Sequence, residues 1–285
     1  MTAPVTAPME VRQATAPEQV PGMSTEDLRD RYLVPGLFAP GEVRAVYTHH
    51  DRLVLLGAVP ADLPLDLPAF DPLRTATFLE RREAGVVHVG GGAGAVTVDG
   101  EAYAMTEGSV LYVGRGAGAV RFASADPADP ARFYLVSAPA HATHPTVLTG
   151  PDGGTVRELG DALTSNRRTL RQVVHEGGVR SCQLVLGVTR LHPGSTWNTM
   201  PAHTHDRRTE AYLYVGLPAD ARVVHILGEP SQTRHLLVAD GEAVVSPSWS
   251  VHCGVGTAAY TFVWAMAGEN QSFDDMDGCA ITDLR

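Results

Sequence analysis

The chain has 285 residues, 44% of them apolar and 19% charged, and a formal net charge of -10 at pH 7. A chain of this length can form two modest domains, or one large β domain, around a substantial core. The acidic balance, without any cluster of basic residues, excludes a typical nucleic-acid-binding surface. No apolar run approaches the roughly 18–20 residues that a membrane-spanning helix requires, so we expect none.

The amino-terminal segment, residues 1–22, is rich in alanine, proline, threonine and valine and has little periodicity. It lacks the basic and then apolar regions of a signal peptide, so we interpret it as a loose lead-in. Cys182, Cys253 and Cys279 have no paired spacing that would indicate a disulfide framework. A reduced compartment fits this usage, and we expect a cytoplasmic protein with no nucleic-acid or membrane partner.

The first element after the lead-in is predicted to be a short helix. Ser24 and Asp27 have the spacing of a capping box, in which each side chain accepts a hydrogen bond from the other residue's amide. We predict that this helix ends before Pro35. The segment Leu63–Pro72 contains three prolines and is predicted to be a loop.

Two sets of alternating apolar and polar residues follow, and such alternation predicts strands. The first set covers residues 78–137 and contains Asp99-Gly100, a strong signal for a two-residue hairpin turn. The second set covers residues 182–268. The segment between the two sets is irregular and rich in proline and glycine, which indicates a domain boundary.

The two sets resemble degenerate copies of one unit. Residues 108–114 have the pattern G-x5-G and residues 241–247 the pattern G-x5-P, and each closes a strand before a turn. His252 follows the second pattern, whereas the first copy has no histidine at the matching distance. We predict an all-β fold of two β-barrel domains with a few short helices: a degenerate domain at residues 23–150 and a metal-binding domain at residues 151–285.

A set of metal-ligating residue types defines the candidate site in the second domain. His203 and His205 are two residues apart, so both imidazoles leave the same face of an extended strand. Glu210 opens the next strand and adds a hard oxygen ligand, and His252 follows a turn closed by a proline. We predict that these four side chains bind one divalent metal ion. The ligand types suit Zn, Mn, Fe, Co or Ni and do not choose among them.

Seven runs of sequence carry a family resemblance. They are Y-V-G-R-G-A at 112–117, A-P-A-H-A-T-H-P at 138–145, S-N-R-R-T at 165–169, W-N-T-M-P-A-H-T-H-D-R-R-T-E at 197–210, T-R-H at 233–235, P-S-W-S-V-H-C-G-V-G-T at 247–257 and G-E-N-Q-S-F-D-D-M-D at 268–277. These runs resemble the 5-keto-4-deoxyuronate isomerases of pectin breakdown, a family of the cupin superfamily, and the resemblance extends over nearly the whole chain after Met9. It implies a bicupin fold, zinc on the four predicted ligands, and a homo-oligomer for which a hexamer is one candidate. It also implies conversion of 5-dehydro-4-deoxy-D-glucuronate to 3-deoxy-D-glycero-2,5-hexodiulosonate.

The implied reaction moves a carbonyl group between adjacent carbons of an open-chain sugar acid, and it needs a proton carrier. Strand alternation places Tyr212 and Tyr214 on the face of Glu210, so these three residues are the candidates. The tyrosines are favoured, because a bound metal would hold the electrons of Glu210. The alternative is that both tyrosines only fill the barrel.

A sugar-acid site also needs a cation for the substrate carboxylate and a wall against water. Arg207, beside the ligands, and Arg234, in a predicted strand, are the candidate anchors, because a guanidinium group can bind a carboxylate through two hydrogen bonds. Trp197, Met200 and Trp249 are the candidate wall residues. Ordinary core packing explains these three equally well.

Three alternative functions remain open at this point. Another cupin sugar-acid isomerase, such as the 5-deoxyglucuronate isomerase of inositol breakdown, would share the metal site. An iron-dependent cupin dioxygenase would consume oxygen, which an isomerase does not. A non-catalytic sugar-binding cupin would use the metal only to brace the barrel, although the sequence contains no helix-turn-helix segment of the kind that a DNA-binding sensor carries.

Overall fold

The computed structural model describes residues 7–285, and residues 1–6 of the predicted lead-in lie outside the described part. The described residues form two compact units. The first contains residues 7–12, 36–154 and 173–184, and the second contains residues 13–35, 155–172 and 185–285. Each unit therefore includes segments from both sides of residue 150, whereas the sequence analysis assigned one continuous segment to each domain.

The helical elements within residues 7–285 are short, and strands dominate. The helices are α1 Thr25–Tyr32 and the 3-10 helices Pro17–Gly22, Asp71–Leu73 and Ile281–Asp283. The first twelve strands are β1 Glu10–Arg12, β2 Leu33–Val34, β3 Val43–Thr48, β4 Val54–Ala58, β5 Leu65–Asp66, β6 Arg82–His88, β7 Gly94–Val98, β8 Glu101–Met105, β9 Val110–Val113, β10 Val120–Ser124, β11 Phe133–Pro139 and β12 Val147–Thr149. The remaining strands are β13 Thr155–Leu159, β14 Arg168–Val174, β15 Val185–Leu191, β16 Trp197–Asn198, β17 His203–Thr204, β18 Arg208–Val215, β19 Val223–Glu229, β20 Gln232–Val238, β21 Ala243–Ser246, β22 Cys253–Gly256, β23 Thr261–Gly268 and β24 Asp277–Gly278. The predicted all-β fold with a few short helices is confirmed.

The two units repeat one strand order. The first has a seven-stranded sheet, β1-β3-β4-β11-β6-β9-β12, and a four-stranded sheet, β5-β10-β7-β8. The second has a seven-stranded sheet, β13-β14-β15-β23-β18-β21-β2, a four-stranded sheet, β16-β22-β19-β20, and the pair β17-β24. The order β4-β11-β6-β9 thus corresponds to β15-β23-β18-β21, and the two four-stranded sheets correspond throughout. This repetition agrees with the predicted duplication.

Each unit has its own apolar core, to which both of its main sheets contribute. In the first unit Val86 of the larger sheet and Phe122 of the smaller sheet belong to one buried cluster. In the second unit Phe262 and Val223 come from the larger and the smaller sheet in the same way. Burial of the alternate residues of facing strands is therefore what holds each unit together.

Two local predictions are confirmed. At the start of α1 the Ser24 Oγ accepts a hydrogen bond from the Asp27 amide at 3.2 Å, and Asp27 Oδ2 accepts one from the Ser24 amide at 2.9 Å. Asp99 and Gly100 join β7 to β8 with φ values of 49° and 92°. Both residues thus adopt the left-handed conformation that a tight hairpin turn requires.

Two other local predictions are wrong in part. The predicted loop Leu63–Pro72 contains β5, because Leu65 and Asp66 pair with β10. The described part of the lead-in is not loose, since residues 10–12 pair in parallel with β3 and residues 17–22 form a 3-10 helix. None of the helices in residues 7–285 is long and apolar enough to cross a membrane.

A buried carboxylate fixes a late segment of the chain to the first unit. Glu83 on β6 is fully buried, and one of its oxygens accepts a hydrogen bond from the Tyr112 hydroxyl at 2.7 Å. Its oxygens also accept hydrogen bonds from the amides of Cys182, Gln183 and Leu184 at 2.7, 2.9 and 2.9 Å. Four donors therefore compensate the burial of this one group.

We expect Glu83→Ala to lower the free energy of unfolding by at least about 3 kcal/mol, because it leaves the buried Tyr112 hydroxyl, the buried Leu184 amide and two half-buried amides without an acceptor. Urea denaturation, followed by circular dichroism, measures this loss. The exposed Glu107→Ala is the matched control, with a change of less than about 0.5 kcal/mol. Equal stability of the two variants would contradict the structural role of Glu83.

Candidate metal centre

Three imidazole nitrogens and one carboxylate oxygen meet in the second unit. His203 lies on β17, His205 directly after β17, Glu210 on β18 and His252 directly before β22. His203 Nε2 lies 3.2 Å from His205 Nε2 and 3.1 Å from His252 Nε2. Glu210 Oε2 lies 2.9 Å from His205 Nε2 and 2.8 Å from His252 Nε2. The four atoms all lie within 4.8 Å of one another.

The arrangement of these four atoms fits a single cation. Ligand atoms at about 2.0–2.1 Å from a tetrahedral metal ion are separated from one another by roughly 3.3–3.4 Å. The four separations given above, 2.8–3.2 Å, are close to this value. The lone pairs of neutral imidazoles repel one another and the carboxylate unless a cation or protons lie between them. The donor set therefore suits a divalent metal ion, without selecting one.

Backbone carbonyl groups hold the outer nitrogen of two of the rings. His205 Nδ1 lies 3.0 Å from the carbonyl oxygen of Asp275, and His252 Nδ1 lies 3.3 Å from that of Ser250. A ring nitrogen that donates to a carbonyl oxygen carries the proton, so the Nε2 of the same ring keeps its lone pair. At His252 the backbone thus favours the tautomer that can bind a metal, whereas His205 Nδ1 also lies 3.2 Å from Nη2 of Arg208, which can only donate.

Burial and neighbouring groups favour the ligating protonation states. The pKa of His203 is lowered to about 2, first because burial disfavours the imidazolium form and then because His252 and His205 lie beside it. For Glu210, burial opposes ionisation, but the neighbouring His252 and His205 together hold the pKa of this carboxyl well below its usual range. Neutral imidazole and ionised carboxylate are the forms that bind metal ions.

Strand register explains why Glu210 and Tyr212 face the same way. In the pairing of β18 with β23, Glu210 lies opposite Met266 and Tyr212 lies opposite Trp264. Alternate residues of both strands point to one side of the sheet, and these four side chains line one cavity. Gly187 on β15 lies opposite Trp264 and leaves room for its indole ring. A Cβ atom on residue 187 would lie only 2.1 Å from a ring atom of Trp264.

The cavity beside the four donors has a volume of about 270 Å³ and mainly apolar walls. It is lined by Leu159, Arg168, Leu170, Thr189, Thr199, Met200, Pro201, His203, His205, Glu210, Tyr212, Phe262, Trp264, Met266, Phe273 and Met276. Ligand pockets usually measure roughly 300–1,000 Å³, so this one suits a small molecule.

Tyr212 contributes a protonated hydroxyl group to this cavity. Its Oη lies 2.9 Å from Thr199 Oγ1. Burial first, and the negative charge of Glu210 second, raise the pKa of Tyr212 well above its usual value. The phenol therefore stays protonated at neutral pH and can donate a hydrogen bond or a proton. Thr199 has a φ of 51°, a left-handed conformation that β-branched residues rarely adopt.

Tyr214 has a different environment, although it shares the strand face of Tyr212. Its hydroxyl lies 2.8 Å from His225 Nδ1, and it is absent from the cavity lining described above. Both Tyr214 and His225 are fully buried. Of the two predicted tyrosines, only Tyr212 faces the cavity, so the structure does not favour Tyr214 as a proton carrier.

Arg207 does not line the cavity, contrary to the expectation that it anchors a carboxylate. Its guanidinium group instead binds Asp275, from Nε at 2.8 Å and from Nη2 at 2.5 Å, and Asp277 from Nη2 at 2.9 Å. The hydrogen bonds from Arg207 are the main reason that the pKa of Asp275 is held well below its usual range. A guanidinium group that already donates to two carboxylates has few N–H groups left to donate to a third.

The adjacent arginine completes a clamp on the carboxyl-terminal loop. Arg208 is fully buried and donates to the carbonyl oxygens of Ser272 at 2.5 Å and Asp275 at 2.6 Å. The same loop leads into β24, which pairs with β17 and so supports His203. It also contributes Phe273 to the cavity wall. The clamp therefore holds both the strand of His203 and part of the cavity wall.

The remaining predicted anchor and wall residues divide into two groups. Met200 lines the cavity, as expected. Arg234 lies on β20 and donates to two backbone carbonyl groups, away from the cavity lining, so its expected role as a carboxylate anchor is not supported. Trp197 and Trp249 are half-buried outside the cavity lining, and Trp249 packs against the core of the second unit.

Sequence reasoning missed eleven of the sixteen residues that line the cavity, among them Arg168, Thr199 and Phe273. Arg168 opens β14, and its alternation with Leu170 was the available signal for a shared face. Thr199 and Phe273 lie in irregular segments, where no periodicity indicates the direction of a side chain. Their positions follow only from the packing of those segments over the sheet.

Comparison with known proteins now gives the family. A family model described as the KduI/IolB family matches residues 37–280. The chain belongs to the KduI/IolB family. A Kineococcus radiotolerans protein named 4-deoxy-L-threo-5-hexosulose-uronate ketol-isomerase is 70% identical over 280 residues, which are 97% of this chain and 100% of that protein. A Bacillus pumilus protein of the same name is 53% identical over 277 residues, again 97% of this chain and 100% of the relative.

Solved structures share the fold of this KduI/IolB family member at low sequence identity. An IolB-like protein from Salmonella typhimurium has a TM-score of 0.63 and 16% identity, over 77% of this chain and 85% of that chain. Oxalate decarboxylase from Lactobacillus farciminis, in a formate complex, has a TM-score of 0.56 and 11% identity, over 84% of this chain and 83% of that chain. These likenesses establish the fold, and the predicted bicupin architecture is confirmed.

We expect Arg207→Gln to loosen the carboxyl-terminal loop, because the variant loses the ion pairs with Asp275 and Asp277. Hydrogen–deuterium exchange should be faster by about tenfold or more in residues 270–279 and in β17. The exposed Arg190→Gln, which carries the same charge change, should exchange like the wild type. Unchanged exchange in Arg207→Gln would show that the clamp does not hold the loop.

Proposed function

We propose that this member of the KduI/IolB family is a 4-deoxy-L-threo-5-hexosulose-uronate ketol-isomerase that acts in the breakdown of pectin-derived uronates. It would convert 5-dehydro-4-deoxy-D-glucuronate to 3-deoxy-D-glycero-2,5-hexodiulosonate. The observation that carries the proposal is the convergence of three imidazoles and one carboxylate beside a small cavity, in a chain 70% identical to a relative of that name.

The proposed cofactor is one divalent cation, with zinc as the first candidate. His203, His205, Glu210 and His252 would hold it, since imidazole and carboxylate are common zinc ligands. When bound, such a cation acts as a Lewis acid that stabilises negative charge on the oxygens of the sugar. The backbone bonds to the outer ring nitrogens support this assignment, because they orient the rings as ligands.

The proposed reaction relocates hydrogen between adjacent carbons of the open-chain sugar. The aldehyde carbon C1 becomes a hydroxymethyl group and the hydroxyl-bearing C2 becomes a ketone. One C–H bond breaks at C2, another forms at C1, and the hydroxyl proton moves from O2 to O1. Transfer of a proton through an enediol and direct transfer of a hydride both satisfy this balance.

Tyr212 is the residue that we assign to proton donation in this reaction. Its hydroxyl faces the cavity, is held by Thr199 and stays protonated at neutral pH. A positioned phenol can donate to a sugar oxygen on which negative charge develops. Glu210 is a weaker candidate, because two imidazole nitrogens already occupy its Oε2.

Apolar side chains exclude water from the reacting carbons. The wall residues of this kind are Leu159, Met200, Phe262, Trp264, Met266 and Phe273. Such a wall strengthens the electrostatic interactions inside the cavity and prevents side reactions of an enediol. A homo-oligomer, for which a hexamer is one candidate, and a cytoplasmic location stay predictions.

We expect the purified protein, incubated with 5-dehydro-4-deoxy-D-glucuronate in deuterated water, to form the ketose product without oxygen uptake. Removal of the metal with a chelator should abolish turnover, and added zinc should restore it. Nuclear magnetic resonance identifies the product, and deuterium at its new C–H position indicates proton transfer rather than hydride transfer. Oxygen uptake would instead favour a dioxygenase, and faster turnover of 5-deoxyglucuronate would favour the other sugar-acid isomerase.

A matched pair of histidine variants tests the metal in the same preparation. His252→Ala should lose most of the bound metal, measured by mass spectrometry of the ions, together with activity. The exposed His235→Ala should keep about one ion per chain and full turnover. Turnover by metal-free protein, or equal metal content in the two variants, would contradict the metal-dependent mechanism.

Tyr212→Phe should lower kcat by about 10²–10⁴-fold, because the variant keeps the ring but removes the proton donor. Tyr214→Phe removes an equally buried hydroxyl outside the cavity lining and should stay within about tenfold of the wild type. Steady-state kinetics with equal metal content in both variants makes the comparison. Full turnover by Tyr212→Phe would exclude this residue as the proton carrier.

A further inference from the structure

Among residues 7–285, Arg168 is the one arginine that lines the cavity. The other lining residues that can carry a positive charge are His203 and His205. It is the first residue of β14 and lies opposite Leu159 of β13. The sequence contains no lysine. An anionic group of a ligand in this cavity can therefore be matched only by Arg168 or by the predicted metal site.

The guanidinium group of Arg168 has no carboxylate partner among residues 7–285. Its side-chain hydrogen bond runs from Nη1 to the carbonyl oxygen of Asn166, at 2.8 Å. A guanidinium group has five N–H donors, so this single bond leaves most of them for another acceptor. Arg207 shows the contrast, because two aspartates already occupy its guanidinium group.

The surroundings of Arg168 make an anionic partner favourable. Its neighbours on the cavity wall include Leu159, Leu170 and Phe262, which cannot replace the water that a cation loses on burial. Burial lowers the pKa of Arg168, and the tyrosines Tyr212 and Tyr260 oppose this only in part. Arginine nevertheless remains charged near neutral pH. A half-buried cation without a carboxylate partner is thus available to a ligand.

We propose that Arg168 binds the carboxylate group of the sugar acid and selects acidic sugars over neutral ones. The identity of the substrate rests on the function proposed above. The observation that Arg168 lines the cavity without a carboxylate partner is independent of that function. A guanidinium fork matches a carboxylate through two parallel hydrogen bonds, which adds directional selection to the attraction of charge. The sugar is then held at both ends, with its carboxylate at β14 and its reacting carbons at the four metal-ligating donors.

This placement predicts a specific kinetic signature. The carboxylate of the substrate does not change during the isomerisation, so Arg168 contacts it equally in the ground state and in the transition state. An interaction of that kind lowers KM and leaves kcat unchanged. Arg168 is a substrate-binding residue on this account, and Tyr212 remains the proposed proton donor.

The test compares Arg168→Gln, Arg168→Lys and the control Arg167→Gln in the metal-loaded protein. Arg167 is the adjacent arginine and is exposed, so its variant carries the same change of charge outside the cavity. We expect KM to rise by about 10- to 100-fold in Arg168→Gln, with kcat within about threefold of the wild type. Arg168→Lys keeps the charge but loses the planar guanidinium group, so its KM should lie between those of the wild type and Arg168→Gln. The KM of Arg167→Gln should match that of the wild type.

A neutral substrate gives a second, independent measurement. The wild type should prefer the sugar acid to its primary amide by about 10- to 100-fold in kcat/KM, and Arg168→Gln should lose this preference. An unchanged KM, or a preference that Arg168→Gln retains, would overturn the proposal. If Arg168→Gln does not fold, the kinetics of Arg168→Lys and the amide preference of the wild type decide the question.

The outcome also separates this inference from the proposed reaction. Without turnover by the wild type, the isomerase assignment fails, and calorimetric binding of the sugar acid and its amide still tests Arg168. Tighter binding of the acid, by about tenfold or more, that Arg168→Gln abolishes would support the inference. Equal binding of acid and amide by the wild type would overturn it.

Discussion

The buried contacts between Glu210 and the histidines are the interaction on which the second unit depends. A carboxylate that is only 4% exposed is unfavourable unless charged or hydrogen-bonding partners surround it. Here the Nε2 atoms of His205 and His252 lie within 2.9 and 2.8 Å of its Oε2. The imidazoles lie on β17, directly after β17 and directly before β22, and Glu210 lies on β18, so these strands must keep their register.

The carboxyl-terminal loop, residues 270–276, covers one side of the cavity beside this cluster. Two adjacent arginines hold the loop, one through carboxylates and the other through carbonyl groups, and the carbonyl oxygen of Asp275 in turn contacts the outer nitrogen of His205. One loop thus supports a ligand ring, pairs with the strand of His203 and closes the cavity with Phe273. The orientation of a predicted metal ligand and the enclosure of the cavity therefore depend on the same loop.

The first unit has the same strand order as the second but carries apolar residues at the positions of Glu210 and Tyr212. Pairing of β6 with β9 places Ala84 opposite Val113, and pairing of β18 with β21 places Glu210 opposite Ser246. Since residues 108–114 correspond to residues 241–247, Ala84 occupies the position of Glu210, and Val86, two residues later, that of Tyr212. Both replacements are fully buried and apolar, so this strand fills its core instead of lining a polar site.

The sequence by itself determined the features that depend on short-range periodicity. Strand alternation set Glu210 and Tyr212 on one face, and the turn at Asp99 followed from the tolerance of its glycine neighbour for positive φ. Tertiary structure alone decided which arginine meets the cavity. Arg207 stands beside the ligands in sequence but pairs with Asp275, whereas Arg168 is distant in sequence but shares the sheet face. Ion pairs and sheet order join residues far apart along the chain, and no local pattern encodes them.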